Sequence, residues 1–237
     1  MKFMIREAMS VFWQTLKDVW EELYSLGMVN LVWIFCFLPI TLIGEVPIYL
    51  AILLILITLV AVPAATVGIY YVTRRVAQGK TFHFADFIEG VKLYWWRSLI
   101  WLLVNVVVLY LIYTNIVFYP NIVKNTTLLA MIGGLWIAAA AFWLAIQLYY
   151  WPMFLQQEKP NMLLAWKNAA FLFLANPFYG FFIVCFTLVL AVVCVGLVLP
   201  FIFVGMAVVA LLGNNAAQTF LVALKVIEDP RPKPMGR

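Results

Sequence analysis

The stretch between Lys167 and Lys225 contains 57 residues and no charged side chain. As one α-helix it would extend about 86 Å at 1.5 Å per residue, whereas the hydrocarbon core of a bilayer is about 30 Å thick. The stretch therefore has to fold back on itself. Gly196 and Pro200 lie near its middle and predict the turn of a hairpin, with membrane spans at residues 178–199 and 201–224.

The rest of the chain has the same character. Of all 237 residues of the chain, 67% are hydrophobic and 11% are charged, whereas soluble proteins have about 25% charged residues. Pro63, inside one apolar run, predicts a kink. Uncharged runs predict four further spans at residues 28–44, 46–71, 98–119 and 127–151. We therefore predict an all-α polytopic membrane protein with six transmembrane helices.

Three shorter segments, at residues 3–23, 84–95 and 161–174, carry apolar residues at helical spacing. A helix with one apolar and one charged face is typical of the headgroup region of a membrane. In the first segment Ile5 and Met9 share the apolar face, and Asp18 lies opposite them. We expect the six spans to form three hairpins, each preceded by such a cytoplasmic amphipathic helix.

The second amphipathic segment and its flanks predict a membrane-surface anchor. Basic residues stand where helices leave hydrocarbon on the cytoplasmic side, and aromatic residues fill the adjoining apolar face. Each basic residue near an anionic leaflet contributes about 1 kcal/mol to surface binding. The residues of this anchor are Arg74, Arg75, Lys80, Phe84, Phe87, Lys92, Tyr94 and Arg97.

The distribution of basic residues predicts the orientation. With both termini cytoplasmic, Lys124 is the one lysine or arginine placed outside, in agreement with the positive-inside rule. We expect a multi-pass protein of the plasma (inner) membrane. The net charge of +5 does not indicate nucleic acid as a partner, because the basic residues are scattered over short loops instead of forming one face.

Enzyme chemistry requires titratable groups that face one another, and the apolar runs contain almost none. His83 is the one histidine, and Cys36, Cys185 and Cys194 lie far apart within apolar runs. The sequence therefore predicts a non-enzymatic protein without a cofactor or a bound metal. Glu45 lies in a turn between spans, where solvent exposure is a simpler explanation than a functional acid.

Five amide side chains lie inside predicted spans. A polar group in hydrocarbon needs a hydrogen-bond partner, so these side chains are expected to face the interior of the bundle. Two interpretations stay open: these side chains form hydrogen bonds between helices, or they form a ligand site. Gly213 would favour a ligand site if it broke the last helix and freed backbone groups for a substrate. The five are Asn214, Asn215 and Gln218 in the last span, Gln147 in the fourth and Asn105 in the third.

A weak internal repeat divides the chain. Tyr70-Tyr71 recurs as Tyr149-Tyr150, and prolines 39, 120 and 200 are evenly spaced. The repeat units cover about residues 1–76, 81–155 and 161–226 of a single membrane domain at 1–226, and a short basic tail follows at 227–237. Such repeats occur in transporters but also in proteins that transport nothing.

Four short motifs carry a family resemblance. They are Asn30-Leu31-Val32-Trp33, Leu38-Pro39-Ile40-Thr41, Pro63-Ala64-Ala65-Thr66 leading into Tyr70-Tyr71-Val72, and the segment 84–96. With them the chain resembles the YesL family of bacterial integral membrane proteins, whose domain has no assigned function. The resemblance implies a polytopic membrane protein associated with carbohydrate uptake systems, and it implies no catalytic residues.

Two functions follow from these patterns. The first is an accessory or assembly subunit of a carbohydrate uptake system, with the lipid bilayer and membrane transport subunits as partners. The second is a small transporter or channel for a neutral solute, with Asn214, Asn215 and Gln218 along its path.

Overall fold

The computed structural model describes residues 2–231. Within that range six helical segments are long and apolar enough to span a membrane, which agrees with the predicted number and order of spans. The helices are α1 (Lys2–Glu21), α2 (Leu23–Phe35), α3 (Leu38–Thr41), α4 (Ile48–Ala77), α5 (Phe84–Ile122), α6 (Thr126–Leu155), α7 (Met162–Ala175), α8 (Pro177–Leu197) and α9 (Leu199–Ala223), with a 3₁₀ turn at Ile43–Glu45.

The first span is broken, because α2 ends at Phe35 and the chain continues through α3 and the 3₁₀ turn. Pro39 has no backbone N–H to donate to the carbonyl oxygen of Phe35, and its ring would clash with that carbonyl group, which accounts for the end of α2 at Phe35. The turn predicted between Gly196 and Pro200 falls at Val198, whose φ is 56°. A β-branched residue rarely adopts a positive φ, so this turn holds strain.

The last helix, α9, lies at the centre of the fold and contacts α1, α2, α4, α6 and α8. Lipid tails provide little hydrophobic driving force between helices, so association depends on close packing of small residues. At Gly213 a Cβ atom would lie 2.7 Å from the carbonyl oxygen of Leu148 in α6. The small buried residues that allow such approach are Gly205, Ala207, Ala210, Gly213, Ala216 and Ala217.

One fully buried amide, Asn30, ties α2 to the beginning of α9. Its Nδ2 donates to the carbonyl oxygens of Phe201 (3.0 Å) and Ile202 (2.7 Å). Its Oδ1 accepts from the backbone N–H groups of Met206 (2.9 Å) and Ala207 (3.2 Å). Both N–H groups and both oxygen lone pairs of the Asn30 amide are therefore hydrogen-bonded to the backbone of α9. The sequence predicts no role for Asn30.

The most extensive helix pair is α4 with α5, and two glycines interlock it. A Cβ at Gly68 would lie 2.7 Å from the ring of Phe87, and a Cβ at Gly90 would lie 2.6 Å from the Cβ of Tyr71. Each glycine therefore receives an aromatic side chain from the other helix. In both helices the glycine and the aromatic residue are three positions apart, so they share one face.

Local hydrogen bonds fix the turn between α4 and α5. Gly79, with φ of 72°, follows α4 in the left-handed conformation that suits glycine, and the N–H of Lys80 donates to the carbonyl oxygen of Arg75 (3.0 Å). Asp86 then caps α5 by accepting from the backbone N–H of His83 (2.8 Å), and it also forms an ion pair with Arg75. We call this side of the bundle, where α4 and α9 end and α5 begins, the basal end.

In the segment 84–95 the structure differs from what the sequence predicts. The sequence predicts a separate helix on the membrane surface, but α5 runs for 39 residues from Phe84 to Ile122 without interruption. No glycine–proline pair or polar turn separates Tyr94 from Ser98, so nothing ends the helix there. Its first turns pack along α4, and Pro120, predicted to close the span, lies inside the last turn of α5.

The other two amphipathic segments differ from each other. Only Glu22 separates α1 from α2, whereas α7 is a distinct short helix. Asn161 precedes it as a cap, and its side chain accepts from the N–H of Leu164 (3.0 Å). The helix ends at Ala175, after which Asn176 caps α8 and Pro177 occupies the first position of α8.

The face of α1 that packs on the bundle differs from the predicted apolar face, which is expected to lie against the membrane. Ile5 and Met9, assigned to the apolar face, are exposed, while Ala8 and Val11 are buried. Asp18, assigned to the opposite polar face, is only 7% exposed. The reason is that α1 packs on α8 and α9, and α9 offers polar partners to the polar side of α1.

We predict that replacing Gly90 with alanine lowers the thermal stability of the protein in detergent. The added Cβ would overlap Tyr71, and such overpacking costs about 1–3 kcal/mol. Gly133 serves as the matched control, because it also lies in a spanning helix and a Cβ there would meet nothing within 4 Å. Unfolding followed by circular dichroism should give a lower midpoint for Gly90→Ala than for Gly133→Ala. Equal midpoints would contradict the interlocked packing of α4 and α5.

Candidate functional site

The three amides predicted in the last span are buried in α9, and two of them bind α4. Asn214 Nδ2 donates to the carbonyl oxygen of Tyr70 (3.1 Å) and to Thr73 Oγ1 (2.9 Å). Gln218 Nε2 donates to the carbonyl oxygen of Ala77 (2.9 Å), the last residue of α4. Hydrogen bonds between helices are therefore present at both residues, and a ligand-binding role stays a prediction.

The third amide, Asn215, connects α9 to α1 and to the segment after α9. Its Nδ2 donates to Thr15 Oγ1 (3.0 Å) and to Asp18 Oδ2 (3.0 Å). Its Oδ1 accepts from Arg231 Nη2 (2.8 Å). The side chain of Asn215 is only 2% exposed, so these bonds replace water almost completely.

Arg231 lies in the tail segment (residues 224–231), which folds back over the ends of α1, α4 and α9. Its Nη2 also donates to Asp18 Oδ2 (3.0 Å), and its Nε donates to the carbonyl oxygen of Ala77 (2.8 Å). A buried carboxylate costs free energy unless it is paired and hydrogen-bonded, and Arg231 provides both for Asp18. We call the set Thr15, Asp18, Ala77, Asn215, Gln218 and Arg231 the basal network.

Two amide oxygens next to these bonds accept no hydrogen bond from residues 2–231, namely Asn214 Oδ1 and Gln218 Oε1. The orientation of both amides is determined, because their nitrogens donate to backbone carbonyl oxygens, which cannot donate in return. Leaving a buried acceptor unpaired costs about 1–3 kcal/mol. The basal end of α9 thus has spare capacity to accept hydrogen bonds.

A cavity of about 340 Å³ adjoins the basal network. It lies between α1, the end of α9 and the tail segment. Its walls carry two carboxylates, Glu7 and Asp229, in addition to amide and hydroxyl groups. The lining residues are Glu7, Ser10, Val11, Gln14, Asn215, Gln218, Thr219, Val222, Ala223, Asp229 and Arg231. Among the described residues no group of three His, Cys, Asp or Glu side chains is placed to hold a metal ion.

The other two predicted amides lie apart from the basal network and join α5 to α6. Trp101 Nε1 donates to Gln147 Oε1 (2.9 Å), and Trp143 Nε1 donates to Asn105 Oδ1 (3.0 Å). The amide nitrogens in turn donate to the carbonyl oxygens of the tryptophans four residues earlier in their own helices. The five amides predicted from the sequence therefore form two separate clusters.

The residues of the predicted membrane-surface anchor occupy several environments. Arg75 pairs with Asp86, and Phe87 is 2% exposed. The guanidinium of Arg97 lies 5.8 Å from the ring centroid of Tyr94 and 5.4 Å from that of Phe154, a cation–π arrangement. The remaining members are the half-buried Arg74 and the exposed Lys80, Phe84 and Lys92. Their contact with lipid stays a prediction.

The predicted basic tail lies partly outside the described residues, since the structure describes it only as far as Arg231. Comparisons of the chain with protein-family models, with curated proteins and with solved structures gave no match. The resemblance to the YesL family therefore stays an interpretation of the sequence.

We predict that Phe87→Asp loosens the beginning of α5 more than Phe84→Asp does. Phe87 is 2% exposed and packs on Gly68, whereas Phe84 is 45% exposed. Protease cleavage between residues 78 and 89 in inside-out vesicles should be faster for the Phe87 variant than for the Phe84 variant. Both variants carry the same change from phenylalanine to aspartate, so the comparison isolates the effect of position. Faster cleavage of the Phe84 variant would mean that lipid, and not α4, holds this segment.

Proposed function

We propose that this chain is a non-enzymatic accessory or assembly subunit of a carbohydrate uptake system. We place it in the plasma membrane with its basal end and both termini in the cytoplasm. The observation that carries the proposal is an unequal distribution of packing along α5 and α6. Between Trp101 and Leu144 the structure buries only Asn105 and Ile112, so the far halves of these helices present apolar surface to their surroundings.

A run of small residues on α6 supports a protein partner at this surface. Small residues favour close helix packing in membranes. Among the described residues, however, no atom beyond the local backbone of α6 and the adjacent residues lies within 4 Å of a Cβ built at Gly133 or Gly134. The helix thus has a small-residue surface that its own bundle does not use, and a spanning helix of a transport subunit fits it.

The polar interior also favours a structural role over a solute path. The side-chain nitrogens of Asn214, Asn215 and Gln218 all donate to groups of this chain. At Gly213, α9 approaches the backbone of α6 closely. A solute that passed along α9 would have to break these contacts. The link to carbohydrate uptake depends on the resemblance to the YesL family.

We predict that the tagged protein, extracted in a mild detergent, copurifies with subunits of a membrane transport system. The double variant Gly133→Leu/Gly134→Leu should lose these partners, because leucine side chains prevent close approach to α6. The control is Val192→Leu/Val193→Leu, which enlarges exposed residues on α8 and should keep the partners. Mass spectrometry of the eluate identifies the proteins.

Isolation of the wild-type protein without any transport component would contradict the proposal. A second measurement separates it from the transporter alternative. Liposomes that contain the purified chain alone should show the same flux of a panel of sugars as empty liposomes. Flux that depends on Asn214, Asn215 or Gln218 would favour the transporter.

A further inference from the structure

Three acceptor groups from three different helices surround the guanidinium of Arg231. They are Asp18 Oδ2 at 3.0 Å, Asn215 Oδ1 at 2.8 Å and the carbonyl oxygen of Ala77 at 2.8 Å. The Ala77 carbonyl belongs to the last turn of α4, where helix carbonyls lack intrahelical partners and the helix dipole favours a cation. Charge, dipole and hydrogen-bond direction at this position all suit a planar cation.

The hydrogen bonds that join residues 227–231 to the bundle come from this one side chain. Lys225, with φ of 56°, closes the end of α9, and the N–H of Val226 donates to the carbonyl oxygen of Leu221 (3.0 Å). Beyond this turn, the only hydrogen bonds that join residues 227–231 to the described helices come from the Arg231 side chain. Release of the guanidinium would therefore remove every hydrogen bond between residues 227–231 and the described helices.

The adjoining cavity has an excess of negative charge. Asp18 neutralises Arg231, whereas Glu7 and Asp229 form no ion pair with the described side chains, those of residues 5–231. Gln218 lines the same cavity, is only 4% exposed, and has a side-chain oxygen that accepts no hydrogen bond from the described residues. An anion would meet the carboxylates of Glu7 and Asp229 here, while a cation would meet hydrogen-bond acceptors.

We propose that the basal network and its cavity form a binding site for a guanidinium or ammonium group from outside this chain. In this structure Arg231 occupies the site in cis. Binding of an external cation displaces Arg231 and releases the tail segment. The cation comes either from a basic side chain of a protein segment or from a small free molecule, and the same acceptors bind both. The proposal does not depend on a role in carbohydrate uptake.

The test uses the full chain in detergent micelles and two probes. One is agmatine, a free guanidinium compound, and the other is the peptide acetyl-Asp-Pro-Arg-amide, which repeats residues 229–231. Arg231→Ala empties the site without changing its acceptors. Isothermal titration should show agmatine binding at least about tenfold tighter to Arg231→Ala than to the wild-type chain, because the tethered side chain no longer competes.

Controls separate the site from a general charge effect. Arg231→Lys keeps a tethered cation and should bind agmatine as weakly as the wild type, and so should Lys225→Ala, which removes a neighbouring cation outside the network. Asp18→Asn added to Arg231→Ala should abolish binding. If that double variant does not fold, Glu7→Gln added to Arg231→Ala should weaken binding instead.

Equal affinity of the wild type and Arg231→Ala would overturn the proposal, and so would unchanged binding after the loss of Asp18 or Glu7. Peptide binding at least about tenfold tighter than agmatine binding assigns the site to a protein segment, because the flanking backbone then contributes contacts. Comparable affinities assign it to a small free cation.

Discussion

A polar side chain inside a bilayer has no water to bind, so it has to find its hydrogen-bond partners within the protein. In this chain that requirement determines how the helices meet. Asn30 binds the backbone of α9, Asn214 and Gln218 bind α4, and Asn215 binds α1. All four interactions involve α9, and its small residues allow the neighbouring helices to come close enough for them. The central position of α9 is therefore a consequence of hydrogen bonding and small side chains more than of hydrophobicity.

The sequence predicts those parts of the fold that depend on neighbouring residues. Uncharged length reveals the spans, and the buried amides are recognisable in an apolar context. The break after Phe35 is less evident, since Pro39 lies inside a run long enough to span. The continuity of α5 follows from the absence of a stop signal between Tyr94 and Ser98, but amphipathic spacing at residues 84–95 also fits a separate surface helix.

The candidate site could be predicted only in part, because its contacts join distant positions. Asp18 and Arg231 are 213 residues apart, and Asn30 and Met206 are 176 apart. No local pattern distinguishes Asp18 from the other acids on the polar side of α1, or Arg231 from a basic residue near a membrane surface. The packing roles of Gly68 and Gly90 could not be predicted for the same reason. A single glycine is tolerated within a helix, and its role is seen only in the structure, where an aromatic ring of the partner helix lies against it.

The pairing of Asp18 with Arg231 also limits when, during synthesis of the chain, the Asp18 carboxylate can find its partners. A ribosome that adds 5–20 residues per second needs roughly 10–40 s to travel from one residue to the other. During that interval α1 is complete, yet its carboxylate has neither the arginine nor Asn215 as a partner. The Asp18 carboxylate therefore needs water or another partner until α9 and the tail segment have been synthesised.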